Sequence, residues 1–232
     1  SVFVNDALRR SAAHVFVDQL DGGTVENDDL HHVVKVLRIR ESDVISVSDG
    51  RGAWATATIS RDGEITLLEG PHFVAGPTRR LGVAFVPVKG EKPELVVQKL
   101  TEIGIDDIFP LAPSAHSVVK WDGDRADKHH ARLVKVAREA AMQSRRVWLP
   151  EVHPVTTISS LVTSRDVAFA EPGGEPLSES VSLVVIGPEG GFSHDELRGA
   201  STIVSLGESV LRAETAAIVA GALMVNLRGG GR

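Results

Sequence analysis

The chain has 232 residues and a net charge of −6, with 42% hydrophobic and 24% charged residues. These values fit a globular protein of one large or two modest domains. The chain has no cysteine, which excludes disulfides, thiolate metal sites and a cysteine nucleophile. No run approaches the ~18 apolar residues of a membrane span, and residues 1–10 lack a basic-then-apolar signal pattern. We therefore expect a cytoplasmic protein with no membrane partner.

Charge is distributed unevenly along the chain. The negative total argues against a protein that binds nucleic acid over its whole surface. Residues 125–146, however, carry seven Lys/Arg against two acids. An acidic protein with one such basic stretch is still able to bind a polyanion at that place.

Residues 1–72 have the pattern of a small β domain. Short β-branched runs alternate with the turn sequences DGG, DGRG and RDG, as hairpins and small barrels require. One segment, 28–39, is helix-like and has aspartates able to cap its start. The chain then passes through Gly- and Pro-containing sequence, of which we assign 73–80 to a linker. The predicted strands are 15–17, 44–49, 54–59 and 64–70.

Residues 81–232 alternate between strand and helix patterns, which predicts an α/β domain with a parallel sheet covered on both faces. The apolar run at 81–88 is typical of a strand buried on both sides. Pro93 opens a helix that stops at Gly104, and Ser193 with Glu196 has the spacing of a capping box. The predicted strands are 81–88, 106–111, 166–170, 183–187 and 202–207, and the predicted helices are 92–104, 124–144, 193–200 and 214–227.

Four strand ends carry unusual residues: VKGEK, AEPGG, IGPEGG and LGESVLRAETA. Ligands of open parallel sheets bind beyond the carboxyl ends of the strands, and glycine lets the backbone approach them closely. GPEGG is neither the dinucleotide pattern GxGxxG nor the phosphate loop GxxxxGK[ST]. These ends therefore predict a ligand held mainly by backbone groups, with ordinary tight turns as the alternative for any single loop.

The segments VVIGPEGGFSHDEL and VSLGESVLRAETAAI resemble the C-terminal signature of the SPOUT methyltransferases. More closely, they resemble the RsmE family, the 16S ribosomal RNA uridine-N3 methyltransferases. The likeness extends through KGEKPELVVQKLTEIGIDDIFPL, EAAMQSRRVWLPEV and HHVVKVLRIRESD, and so covers nearly the whole chain. It implies an N-terminal PUA-like β-barrel (1–72) and a C-terminal α/β SPOUT domain (81–232) with a C-terminal trefoil knot around the parallel sheet. It also implies a homodimer that binds S-adenosylmethionine and acts on 16S rRNA within assembled 30S subunits.

The same resemblance assigns the cofactor to the glycine-containing strand ends. GPEGG, the LG turn and the VLRAETA segment would form the pocket, and the end of the strand before AEPGG would close it. The implied cofactor-binding residues are Ala170, Glu171, Ile186, Gly187, Pro188, Gly190, Gly191, Leu206, Gly207, Val210, Leu211 and Thr215.

Methylation at N3 of uridine requires loss of the imide proton and stabilisation of the anion that results. An arginine suits this task because it stays charged and needs no activation. Arg212 is the first catalytic candidate, with a salt bridge to Glu214 or Glu208 as its alternative role. Glu214 is a candidate base, beside Glu189 and Glu102, although it could simply complement a helix dipole. Proton loss to water remains open.

Basic residues in three places are candidate RNA contacts, since Lys and Arg bind the phosphate backbone. They are Lys35, Arg38, Arg40, Lys89, Lys92, Arg145 and Arg146. The resemblance supports two of these places, because PUA-like barrels bind RNA and because QSRR (143–146) aligns with a family motif near the substrate. The stripe Lys128–Arg138 is as well explained by a solvated helix face. Adjacent histidines at 31–32 and 129–130 point apart on a helix, so we predict no metal.

Two positions depart from the family pattern. His116 stands where arginine is common, and Ser209 where arginine is frequent, so each removes a possible fixed positive charge near the site. Three alternatives to the main interpretation remain. They are an enzyme that binds another nucleotide through GPEGG, a non-catalytic RNA-binding assembly factor, and a SPOUT methyltransferase acting on tRNA or on a ribose 2′-oxygen.

Overall fold

A computed structural model describes residues 5–90, 92–114, 116–117, 120–121, 123–162 and 166–230. The chain divides into two compact units. The first comprises Ser1–Thr78 and Ala141–Leu149, and the second comprises Arg79–Ala140 and Pro150–Arg232. The boundary after residue 78 lies within the predicted linker. The membership of Ala141–Leu149 in the first unit was not anticipated from the sequence.

The first unit is built on a four-stranded sheet in the order β1-β2-β3-β4. β1 and β2 are parallel, and the remaining pairs are antiparallel. The predicted helix at 28–39 is divided, because the α-helix gives way to a π-helical turn at His32–Val36. The elements of this unit are α1 (Asp6–Arg10), β1 (His14–Phe16), α2 (Asn27–His31) with its π-helical continuation, β2 (Ile45–Ser48), β3 (Ala53–Ile59) and β4 (Ile65–Phe73).

Residues 141–149 attach to this sheet through backbone hydrogen bonds. The carbonyl of Val147 accepts from the N–H of Gly52 at 3.0 Å and from the hydroxyl of Ser48 at 3.0 Å. The indole N–H of Trp148 donates to the carbonyl of Val74 at 2.7 Å. A Cβ at Gly52 would lie 2.8 Å from the Trp148 ring, so the segment fits only because residue 52 lacks a side chain.

His14 ties the same segment to β1. Its Nε2 lies 2.8 Å from the carbonyl of Arg146, and its Nδ1 lies 2.7 Å from the hydroxyl of Ser46. The carbonyl can only accept, so Nε2 carries the hydrogen, and Nδ1 accepts from Ser46. Burial lowers the pKa of His14 to about 4, helped by the nearby charge of Arg145 and opposed by the bond to Arg146. The imidazole is therefore neutral at physiological pH.

The second unit is built on a six-stranded parallel sheet in the order β10-β8-β9-β5-β6-β7, which confirms the predicted parallel sheet. α1, β7 and α5 were not predicted from the sequence. The elements of this unit are β5 (Gly82–Phe85), α3 (Lys92–Ile103), β6 (Asp107–Pro110), α4 (Gly123–Gln143, whose last residues belong to the first unit), β7 (Glu151–Val152), α5 (Ile158–Leu161), β8 (Val167–Pro176), β9 (Leu183–Ile186), α6 (His194–Arg198), β10 (Thr202–Ser205) and α7 (Ala213–Gly230).

Successive residues of a strand point to opposite faces of the sheet, and in this sheet both faces are covered by a core cluster. Val83 and Phe85 of β5 join the core cluster that includes residues of α3 and α7. Ala84 and Val86 join the opposite cluster, which includes Leu161 of α5. This explains the continuous apolar run of the sequence in β5. Within the described residues, no helix is long and apolar enough to cross a membrane.

Candidate active site

The bulged middle of β8 and the loops that follow β9 and β10 lie side by side, because these strands are neighbours in the order β10-β8-β9. Together they enclose a cleft of about 670 Å³, which also receives Lys92 from the start of α3. Its walls are 170–172, 186–192 and the stretch from Ser205 to the first turns of α7. This is the position at which open parallel sheets bind ligands.

The pairing of β8 with β10 creates the opening. Ile203 pairs with Phe169, but the next residue, Val204, pairs with Glu175. Residues 170–174 are therefore skipped in the register, and Ala170, Glu171 and Pro172 line the cleft. A bulge of this kind re-aims a strand next to a site.

The predicted cofactor residues are brought together almost completely. Every one of them lines the cleft except Thr215, which is exposed on the first turn of α7. The sequence did not assign Phe192, Ser205, Ala213 or Ala216 to the cleft, and their sequence neighbours are the only signal that could have found them. Arg212 and Glu214, the predicted catalytic residues, also line it.

The turn after β9 is held in shape by short-range contacts. The N–H of Gly191 donates to the carbonyl of Pro188 at 2.9 Å, and Gly191 has a φ of 73°, which favours glycine. Next to it, the Phe192 ring packs on Phe169 with centroids 5.0 Å apart. Ser193 and Glu196 form the predicted capping box at the start of α6. The turn is thus anchored on its downstream side.

Lys92 and Glu214 form an ion pair in the cleft, with Lys92 Nζ 3.2 Å from Glu214 Oε1. The other oxygen, Oε2, is buried and has no hydrogen-bond partner in the described part of the chain. Burial by itself would raise the pKa of the Glu214 carboxyl. Hydrogen bonds from its own backbone N–H and from Lys92, with the charges of Lys92 and Arg212, bring this pKa below its usual value. Glu214 is therefore ionised at neutral pH and is a weak base.

Two glycines that line the cleft differ in the space beside them. A Cβ at Gly207 would meet no atom within 4 Å, and Gly207 lines the cleft. At Gly187, by contrast, a Cβ would lie 3.2 Å from the Phe192 ring. The two departures from the family pattern also lie here, since Ser209 lines the cleft and His116 contacts the carbonyls of Gly190 and Gly191.

The predicted RNA contacts fall into three environments. Lys35, Arg38 and Arg40 are exposed on the first unit, after α2. Lys89 is exposed in the second unit, whereas Lys92 lies in the cleft. For these residues the RNA-binding role stays a prediction.

Arg145 and Arg146 occupy a different setting. The Arg145 guanidinium donates to the carbonyls of Met142, Gln143 and Ser11 at 3.1–3.2 Å, and all four residues belong to the first unit. Arg146 is half-buried, and its carbonyl accepts from His14. A structural role accounts for the Arg145 side chain, and its RNA-binding role stays a prediction.

One group of potential metal ligands lies at the opposite edge of the sheet. Asp107, Glu151 and His153 have ligand atoms within 4.8 Å of one another. The Asp107 carboxylate, however, accepts from Arg80 Nε at 3.0 Å and from Arg80 Nη2 at 2.8 Å. A guanidinium thus already neutralises this carboxylate, and the group forms an ion-pair cluster.

The adjacent histidines 129 and 130 each have a contact within the second unit. His130 donates to the carbonyl of Val152 at 2.9 Å, and His129 stacks on Trp121.

Comparison with known proteins identifies the family. The model of the RNA methyltransferase domain matches residues 76–225, and that of the RNA methyltransferase PUA domain matches residues 25–68. The ribosomal RNA small subunit methyltransferase E of Mycobacterium bovis is 34% identical, over 88% of this chain and 88% of its own. The chain belongs to the ribosomal RNA small subunit methyltransferase E family.

Further relatives of this family agree. The ribosomal RNA small subunit methyltransferase E of Bacillus subtilis is 31% identical, over 85% of this chain and 87% of its own. Among solved structures, a probable rRNA-methyltransferase from Porphyromonas gingivalis has a TM-score of 0.78 at 27% identity, covering 95% of this chain and all of its own. A putative methyltransferase from Legionella pneumophila, solved with its bound cofactor SAM, has a TM-score of 0.79 at 26% identity, covering 93% and 97%.

Proposed function

We propose that this chain transfers a methyl group from S-adenosylmethionine to N3 of a specific uridine of 16S rRNA, presented in assembled 30S subunits. The observation that carries the proposal is the cleft between residues 170–172 of β8 and the loops after β9 and β10, lined by the glycine-rich turn 187–191. Family membership supports the reaction class. The Legionella relative was solved with SAM, which supports the choice of cofactor.

The cleft fits S-adenosylmethionine in size and chemistry. Its volume of about 670 Å³ lies within the range of pockets that hold small cofactors. A Cβ at Gly207 would meet no atom within 4 Å, and the 187–191 turn lines the cleft, so we expect backbone groups of this turn to contact the adenine ring. The orphan oxygen Oε2 of Glu214 is an acceptor for an ammonium or hydroxyl group. S-adenosylmethionine supplies an electrophilic methyl group on a sulfonium sulfur.

Arg212 has the charge and the position for anion stabilisation. It lines the cleft and is exposed, so its guanidinium is able to reach an RNA base at the mouth. A uridine that has lost its N3 proton carries charge on N3 and on two carbonyl oxygens, and a guanidinium stabilises such a spread charge. We assign this role to Arg212.

Glu214 and Lys92 are better suited to holding groups than to moving protons. The lowered pKa of Glu214 makes it a poor general base, because an effective base has a pKa near the working pH. We assign to Glu214 the role of orienting Lys92, whose Nζ lies 3.2 Å from Glu214 Oε1. We assign to Lys92 the role of contacting the ligand or an RNA phosphate. The N3 proton then leaves to water.

The finer features of the fold are part of the same proposal. We place the trefoil knot where the chain leaves β10, and its support is the skipped register at 170–174. A Cβ at Gly174 would lie 2.6 Å from the backbone carbonyl carbon of Val204, so this part of β8 lies directly against β10. Pulling on both termini in an optical trap tests the knot. The fully stretched length of a knotted chain is shorter than the roughly 3.5 Å per residue of an unknotted chain.

A homodimer accounts for apolar groups left at the surface. Val210, at the cleft, is 86% exposed, and Leu95 and Leu223 on α3 and α7 are 40% and 37% exposed. A second copy of the chain would cover such residues. Sedimentation velocity should then give twice the 24.7 kDa of one chain, and a monomer at micromolar concentration would refute this part of the proposal.

Calorimetric titration tests the cofactor assignment against the nucleotide-binding alternative. S-adenosylmethionine should bind and ATP and NAD should not, and EDTA should leave cofactor binding unchanged because the proposed mechanism uses no metal. Tight binding of ATP or NAD without S-adenosylmethionine would favour the alternative enzyme. Cofactor binding without transfer to any RNA would favour the non-catalytic assembly factor.

A further inference from the structure

His116 lies against the turn that walls the cleft. Its Nδ1 is 3.2 Å from the carbonyl oxygen of Gly190 and 3.2 Å from that of Gly191. Both partners can only accept, so Nδ1 must carry a hydrogen, which it shares between them. One side chain thus joins two consecutive residues of the turn from a loop 74 positions earlier in the chain.

The backbone of the turn is in close contact with the same residue. A Cβ at Gly190 would lie 2.9 Å from His116 Cβ and 3.4 Å from the His116 carbonyl oxygen. Gly190 itself is exposed, so the side opposite His116 offers it little packing. Among the described residues, His116 and the bond from Gly191 N–H to Pro188 contact these two glycines directly, and Glu171 Oε1 accepts from the N–H of the next residue, Phe192, at 3.4 Å.

We propose that His116 is a positioning residue for the cofactor turn. By donating to the two carbonyls, it holds the 187–191 backbone in the shape that S-adenosylmethionine binds. Without these hydrogen bonds the free turn would adopt more conformations, because glycines restrict the backbone least. Ligand binding would then cost more conformational entropy. The inference rests on the proposed cofactor.

The donor requirement can be tested with two side chains of the same shape. His116→Asn places an amide N–H close to the position of Nδ1, whereas His116→Asp places a carboxylate oxygen there. The carboxylate cannot donate and repels both carbonyls. His194→Asp, at an exposed residue just beyond the turn, adds the same charge without touching Gly190 or Gly191 and serves as the control.

The first readout is the Kd for S-adenosylmethionine, measured by calorimetry on the full chain. We expect His116→Asn and His194→Asp to stay within about threefold of the unsubstituted chain, and His116→Asp to bind about tenfold more weakly, the usual scale of one hydrogen bond. Equal Kd values for all four proteins, or weak binding by His116→Asn and His116→Asp alike, would overturn the proposal.

The second readout needs no cofactor. Amide hydrogen exchange of the peptide spanning 187–192 should be faster in His116→Asp than in the other proteins, and unchanged exchange would also overturn the proposal. If the unsubstituted chain does not bind S-adenosylmethionine, the proposed function fails, while the exchange result still decides whether His116 holds the turn. If His116→Asp does not fold, His116→Leu replaces it, since leucine also lacks a donor.

Discussion

The buried His14 makes the stability of the first unit depend on pH. Its pKa is about 4 in the folded chain against 6.5 when unfolded. As pH falls below 6.5, His14 is protonated in the unfolded chain but stays neutral in the folded chain. The free energy of unfolding therefore decreases until pH 4 is reached. The stability is thus fully present above 6.5, and about 2 kcal/mol of it should be lost between pH 7 and pH 5.

Urea denaturation followed by tryptophan fluorescence measures this loss. Trp54 and Trp148 both belong to the first unit and report on its unfolding. His14→Gln cannot be protonated and should show a decrease smaller by about 2 kcal/mol over the same pH range, whereas the exposed His31→Gln should behave like the unsubstituted chain. Equal pH dependence in all three proteins, or an NMR titration of His14 near pH 6.5, would refute the reasoning.

Three further predictions concern the cleft and the RNA surface. Gly207→Phe should fill the open space beside Gly207 and weaken S-adenosylmethionine binding roughly 100-fold or more, since a phenyl ring would occupy ligand volume. An unchanged Kd with an unchanged melting temperature would contradict the cleft assignment. Arg212→Ala should lower the rate of methyl transfer about 100-fold or more while changing the cofactor Kd less than threefold. Arg212→Lys should recover only part of the rate. A full single-turnover rate for Arg212→Ala would show that Arg212 takes no part in the chemistry. Arg38→Ala with Arg40→Ala should weaken RNA binding and reduce the slope of log K against log salt by about 2, and an unchanged slope would show that neither residue contacts phosphate.

The sequence predicted the sheet and most of the cleft because both are encoded locally. Continuous apolar runs such as 81–88 and 183–187 are what a strand buried on two faces requires, and β5 and β9 follow them. The glycine-rich strand ends could be placed together because carboxyl ends of adjacent parallel strands share one edge. All the predicted cofactor residues except Thr215 line the cleft, and their contact with the cofactor stays a prediction.

The remaining features depend on contacts between distant residues, which leave no local pattern. Residues 141–149 join the first unit through partners such as Gly52 and Ser48, almost a hundred positions away. The same segment engages Arg145 in backbone bonds, although QSRR had indicated an RNA contact. The Lys92–Glu214 pair likewise joins the first turns of α3 and α7, and the hydrogen bonds of His116 join two separate loops. The π-helical turn at His32–Val36 had no sequence signal that we recognised.

The central claim is tested most directly by identifying the methylated product. Purified protein is incubated with isotopically labelled S-adenosylmethionine and either 30S subunits lacking the modification or naked 16S rRNA, and the RNA is digested and analysed by mass spectrometry. We expect labelled 3-methyluridine from the subunits. A different labelled nucleoside would contradict the target assignment, and the absence of label from both substrates would contradict methyl transfer to 16S rRNA.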